Sequence, residues 1–170
     1  MKNLVLALAT VLSLGLAANA ATVTITDVHI CCGGCVKGVA KAEADVPGIT
    51  AVADEDAGTV VLTGPDVATL QKGADALVAA GYFGKSSDPA ITIDADTGAK
   101  NQKVQSITIE HLHLCCGKCV SAVNEALSGV PGVTGNTAKK GADSFEVTGH
   151  FNDQDVFAAL QKAGLTGHEK

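Results

Sequence analysis

His29-Ile30-Cys31-Cys32-Gly33-Gly34-Cys35 is followed 84 residues later by His113-Leu114-Cys115-Cys116-Gly117-Lys118-Cys119. These two stretches hold all six cysteines of the 170-residue chain. A disulfide framework would spread its cysteines along the sequence. Adjacent cysteines pair poorly with each other, and a Cys32–Cys35 or Cys116–Cys119 bridge would strand one thiol in each triplet. Thiols concentrated at two equivalent points indicate instead a duplicated soft-metal site.

The repeat runs outward from the triplets. Val46-Pro47-Gly48-Ile49-Thr50 matches Val130-Pro131-Gly132-Val133-Thr134 at the same offset of 84, and Ala80-Gly81-Tyr82-Phe83 matches Ala163-Gly164-Leu165-Thr166 at 83. Within the first copy, Thr22 to Val28 alternates as a half-buried strand does. A helix is expected from about Gly33 to Asp45, with Val36, Val39 and Ala40 at helical spacing, broken by Pro47-Gly48. Short strands follow at 49–53 and 59–62, around the turn Asp54 to Gly58. Asp66 caps a second helix with Val67, Leu70, Ala74, Leu77 and Val78 on one face, and Tyr82-Phe83 begins a last short strand. The second copy reads alike: strand 106–112, helix 117–127, strands 133–137 and 144–148, and a helix from Asn152 or Asp153 to Ala163 that turns Val156, Phe157 and Leu160 inward. Its last strand falls within 165–168. The order β-α-β-β-α-β in each copy predicts an α+β chain of two ferredoxin-like βαββαβ domains. Each would be a four-stranded antiparallel sheet with two helices on one face.

The expected organisation is a leader at 1–20, a first domain at 21–86, a polar linker at 87–103 that includes a brief strand candidate at Ile91-Thr92-Ile93, and a second domain at 104–170. Lys2, the apolar run from Leu4 to Ala18 and the small residues Ala18-Asn19-Ala20 have the pattern of a cleaved secretory signal peptide. The apolar run is too short for a spanning helix. The expected location is therefore exported, periplasmic or secreted, with no membrane anchor after cleavage. Without the leader, 11 basic residues stand against 18 acidic ones, and there is no arginine or tryptophan anywhere. Such a chain is unsuited to neutralising a nucleic-acid backbone or an anionic membrane surface.

Each triplet lies on a loop that leads into a helix. The unpaired amides and positive dipole end of a helix start favour thiolate over thiol. Gly33, Gly34 and Gly117 let the loop bend, and Ile30 and Leu114 are expected to anchor it in the core. The loop, the Val-Pro-Gly after the first helix and the Ala-Gly-Tyr after the second together resemble the heavy-metal-associated domain family. That family includes copper chaperones, metal-binding domains of metal-transporting P-type ATPases and the periplasmic mercury-binding protein. The resemblance covers nearly all of 21–170, twice. It implies the βαββαβ fold, metal binding without catalysis, and partners such as a metal-transporting membrane protein or another metal carrier. The cysteines of the family's Gly-Met-x-Cys-x-x-Cys motif fall on Cys32 and Cys35, and on Cys116 and Cys119. Its Met falls on Ile30 and Leu114, and its Gly on His29 and His113.

Cys31 and Cys115 depart from that pattern. Two thiolates suit near-linear Cu(I) or Hg(II), while three permit trigonal Cu(I), or Zn(II) or Cd(II) with a fourth ligand. All six cysteines are candidate ligands, in two separate sites of one ion each, with Cu(I) favoured and transfer by thiolate exchange. His29 and His113 are read as partly exposed strand-end residues, with a role as ligand or proton-linked neighbour as the alternative. His111, His150 and His168 are read as surface residues. Tyr82 is expected against the first helix, near the site, and Lys118, which replaces Gly34 in the second loop, is expected to make the two sites differ. The competing functions are a thiol–disulfide redox protein that uses the Cys-x-x-Cys pairs, and a structural zinc module.

Overall fold

The computed structural model describes residues 20–170; the expected leader, up to residue 19, lies outside them. The first domain contains β1 (Ala21–Thr26), α1 (Gly33–Glu43), β2 (Thr50–Asp54), β3 (Thr59–Gly64), α2 (Val67–Ala79) and β4 (Lys85–Ser86). The second contains β5 (Lys103–Glu110), α3 (Gly117–Ser128), β6 (Val133–Asn136), β7 (Ser144–Asn152), α4 (Asp153–Lys162) and β8 (His168–Glu169). Their sheets have the equivalent orders β2-β3-β1-β4 and β6-β7-β5-β8, with every pairing antiparallel. This is the ferredoxin-like arrangement, twice. Among the described residues no helix is long and apolar enough to cross a membrane.

Alternation places the core. Val23 and Ile25 on β1 stand opposite Leu62 and Val60 on β3, and all four are buried with Leu70, Ala74 and Leu77 of α2. Asp66 caps α2 as expected, accepting the Thr69 N–H at 2.7 Å. The inward stripe of α1 differs from the expected one. Cys35, Val39 and Glu43 are buried at i, i+4, i+8, whereas Val36 is half-buried and Ala40 exposed. The equivalent stripe of α3 is Cys119, Val123 and Leu127, so a carboxylate lies in the first domain where the second has a leucine. Position 78 is only half-buried and Val67 is exposed, because α2 turns its Leu70–Ala74–Leu77 stripe to the sheet.

The last strand of the first domain begins at Lys85 rather than Tyr82, because Tyr82 instead forms an antiparallel bridge with Leu165 of the second domain. Residues 91–93 form no strand. Ile91 is buried, and the Gln71 side chain mimics a peptide, accepting the Thr92 N–H at 2.9 Å and donating to its carbonyl at 2.8 Å. Further along, the buried Asp153 carboxylate accepts the Lys100 and Gln102 N–H groups, each at 2.8 Å. The connecting segment is thus bound to both domains. Asp153→Ala leaves the Lys100 and Gln102 N–H groups without their charged acceptor, and is expected to cost about 3 kcal/mol in denaturant unfolding. Amide hydrogen exchange at Lys100 and Gln102 should accelerate with it.

The domains meet through matched glycines. Gly81 and Gly164 follow α2 and α4 with φ of +86° and +77°. The Gly164 carbonyl accepts N–H groups from His29 (3.1 Å) and Phe83 (3.2 Å), and the Gly81 carbonyl accepts that of Thr166 (3.1 Å). A Cβ on Gly164 would lie 2.5 Å from both the Asp27 oxygen and the His29 nitrogen. One on Gly81 would lie 2.5 Å from the His111 oxygen and 2.6 Å from the His113 nitrogen. Asp27 and His111 themselves, just after β1 and β5, take positive φ (59° and 64°) and turn the chain into the cysteine loops.

Candidate metal centre

Both cysteine triplets end at a helix start. Cys32 and Cys116 occupy the positions just before α1 and α3, in extended conformation, and Cys35 and Cys119 lie on the first turn facing inward. Ile30 and Leu114 are buried and fix the loops, as the sequence predicts. The expected pair of separate sites is not what the structure contains. Docking of the domains brings both loops together, and all six thiols, none in a disulfide, form one continuous cluster.

The leading cysteines make the connection. Cys31 Sγ lies 3.6 Å from both Cys116 and Cys119 Sγ, and 3.7 Å from Cys35. Reciprocally, Cys115 Sγ lies 3.6 Å from Cys32, 3.5 Å from Cys35 and 3.7 Å from Cys119. Cys35 and Cys119, both fully buried, are 4.0 Å apart at the centre. Within each domain the Cys-x-x-Cys sulfurs are 3.9 Å (Cys32, Cys35) and 3.8 Å (Cys116, Cys119) apart. Gly34 admits Cys115: a Cβ there would lie 3.1 Å from its sulfur. At the equivalent point of the second loop, Lys118 Nζ reaches across to the Cys31 carbonyl at 3.1 Å.

Thiol chemistry follows from this crowding. The Cys119 thiol donates to Cys35 and, with help from His113, holds Cys35 well below the ordinary thiol range. The same contact, with burial, pushes Cys119 up. Of the central pair, Cys35 is thus favoured as thiolate and Cys119 as thiol. Burial raises Cys31 to about 12 and pushes Cys115 up as well. At Cys116 burial opposes ionisation, but the Cys119 N–H and hydrogen bonds from Cys31 and Cys32 outweigh it, lowering the group to about 6.

The two histidines are half-buried, in keeping with the partly exposed residues that the sequence suggests, but they are not idle at the surface. Each is drawn into the interface, with its Nε2 buried and free of any protein partner. His113 stacks on Tyr82 at a centroid distance of 4.8 Å. The Tyr82 hydroxyl donates in turn to the Cys35 carbonyl at 3.0 Å, joining α1, the first domain's last turn and the second domain's loop. His29 has a donor atom within reach of Cys31 and Cys119. Burial, above all, lowers its pKa, which favours the neutral imidazole that a metal requires. These roles depend on contacts across the domain boundary, so local sequence carries no signal of them beyond the His at the same place in both copies. The other histidines stay apart from the thiols: His111 follows β5, His150 donates its backbone N–H to Gly132, and His168 packs on Gly98 of the connecting segment.

Fold and site together define a two-domain thiol protein: two βαββαβ units joined at their cysteine loops and at the turns after α2 and α4, with six cysteines between them. No family model matches the sequence, and no curated protein is significantly similar to it. Solved structures that resemble it include the following three. One, from a study of crosstalk between Cu(I) and Zn(II) homeostasis, is 24% identical over 39% of this chain and 100% of its own, with a TM-score of 0.35. The apo HMA domain of the copper chaperone for superoxide dismutase is 26% identical over 49% of this chain and 84% of its own, at 0.36. The N-terminal soluble domains of Bacillus subtilis CopA are 14% identical over 89% of this chain and 95% of their own, at 0.34. At these TM-scores the likenesses carry no functional inference.

Proposed function

We propose that the protein is an exported carrier or store for a thiophilic d¹⁰ metal ion, with Cu(I) favoured over Hg(II), Zn(II) and Cd(II). The carrying observation is the six-thiol cluster itself, a continuous set of sulfur contacts of 3.5–4.0 Å at two helix starts. Soft thiolates select such ions, and helix N-termini stabilise the thiolate form that binds them. Cys32 and Cys116, half-exposed, are the entry points from which an ion passes by thiolate exchange to another carrier or a metal-transporting membrane protein. The leader pattern at 1–20 supports export.

The test is competition between Cu(I), Hg(II), Zn(II) and Cd(II) for the reduced protein, followed by native mass spectrometry. Stoichiometric uptake with Cu(I) displacing Zn(II) is expected. The same short sulfur contacts suit oxidation to disulfides. A protein that takes up no metal but turns over a disulfide substrate is a redox protein, and this reading fails.

A further inference from the structure

We propose that the site binds a single tetranuclear Cu(I)–thiolate cage shared by both domains, rather than one ion in each. The proposal rests on the metal-binding reading above and specifies its cargo.

Four groups of three donors lie close enough to hold an ion: Cys31, Cys32 and Cys116; Cys32, Cys35 and Cys115; Cys115, Cys116 and Cys119; and His29, Cys31 and Cys119. Cys31, Cys32, Cys115, Cys116 and Cys119 each belong to two groups. A set of four three-coordinate positions joined by shared sulfurs is the connectivity of a four-metal cage with bridging thiolates. Three of the four groups contain cysteines from both domains or a cysteine from one with donors from the other, so the cage cannot form in either domain alone.

Donor number favours three-coordinate Cu(I). With metal–sulfur bonds of about 2.3 Å, a linear ion holds its sulfurs about 4.6 Å apart, a trigonal ion about 4 Å and a tetrahedral ion about 3.8 Å. The contacts here run from 3.5 to 4.0 Å, short enough to disfavour linear coordination. Zn(II) in a closed site takes four ligands, and the groups among the described residues all have three donors.

Charge decides the number of ions. The chain has no arginine, and Lys118, beside the cluster, is engaged with the Cys31 carbonyl. Six thiolates with two Cu(I) ions would carry a formal charge of −4, and with four ions −2. Like charges this close repel one another in a partly buried site, so the first ions bound draw in the rest. Binding involves no redox step: Cu(I) remains Cu(I), each sulfur forms its metal bonds as a thiolate, and any proton it still holds leaves to solvent.

The experiment is anaerobic titration of the reduced full chain with Cu(I) supplied as its acetonitrile complex, read by native mass spectrometry and copper X-ray absorption. At half loading, metal-free and four-copper chains should dominate, and the absorption spectrum should show copper–copper scattering. Cys31→Ser, which removes one member from two groups, should abolish the four-copper species while circular dichroism shows the fold intact. Saturation at two ions with a one-ion form populated statistically, or loss of copper–copper scattering, overturns the cage and leaves the metal-binding reading standing. A four-copper species that survives Cys31→Ser overturns the assignment of ligands. No uptake of any metal overturns both readings.

Discussion

A chain carrying Gly81→Ala and Gly164→Ala is expected to come apart into two tethered domains and to lose the shared thiol cluster. Each glycine occupies a left-handed position after a helix, where alanine alone costs about 1 kcal/mol. The larger effect comes from the opposite domain. The added methyls would sit 2.5–2.6 Å from backbone atoms of Asp27, His29, His111 and His113, and backbone cannot move aside as a flexible side chain does. The Gly164 bonds to His29 and Phe83 and the Gly81 bond to Thr166 would open together. Gly48→Ala serves as the control. Its φ is +85°, but a Cβ there meets only Pro65 and Thr69 of its own domain, no nearer than 3.6 Å. The control should lose about 1 kcal/mol and keep its compact dimensions in small-angle X-ray scattering, while the double variant expands. If the double variant remains compact, the glycine contacts do not hold the domains together.

Glu43→Leu or Glu43→Gln is expected to stabilise the protein by about 2–3 kcal/mol above pH 7. Glu43 is 5% exposed, neither carboxylate oxygen has a partner, and it is crowded at Gly73 beside Leu62 and Ile49. Burial pushes its carboxyl up to about 7. The unfolded chain releases this proton near the ordinary value of about 4.5, whereas the folded chain keeps it to about 7. In that window the folded state binds more protons, so stability falls as pH rises and the full cost is present above pH 7. Urea unfolding of the reduced protein at pH 5 and pH 7.5 should show the wild type weaker at the higher pH. The difference from Glu43→Gln should shrink towards zero at pH 5. Leu127 in the equivalent place of α3 shows that the fold accepts leucine there. A constant gap between wild type and Glu43→Gln across this range would mean that the carboxylate finds solvent.

Most of each domain was legible because the relevant signals are local. Alternation in β1, the Asp66 cap, the Pro-Gly breaks and the helical spacing of Leu70, Ala74 and Leu77 act over a few residues, and each led to the observed element. The misreadings lie where a distant partner prevailed over local pattern. Tyr82 left the expected last strand to bridge Leu165. Glu43 is the exception, a misreading of local spacing: it took the inward place on α1 that Ala40 was expected to share, because the stripe begins at Cys35 and steps by four. Ile91 was buried against the first domain by Gln71, a residue 20 positions away from it in the sequence.

The sequence by itself determined two βαββαβ units, each with its thiols at the start of a helix, since both follow from periodicity and spacing within a single copy. Only the tertiary structure decided that the triplets are one site. Cys31 and Cys119 are 88 residues apart, and their 3.6 Å contact exists only because Gly81 and Gly164 allow two backbones to approach closely. That approach is a property of two surfaces, and no periodicity within either copy encodes it.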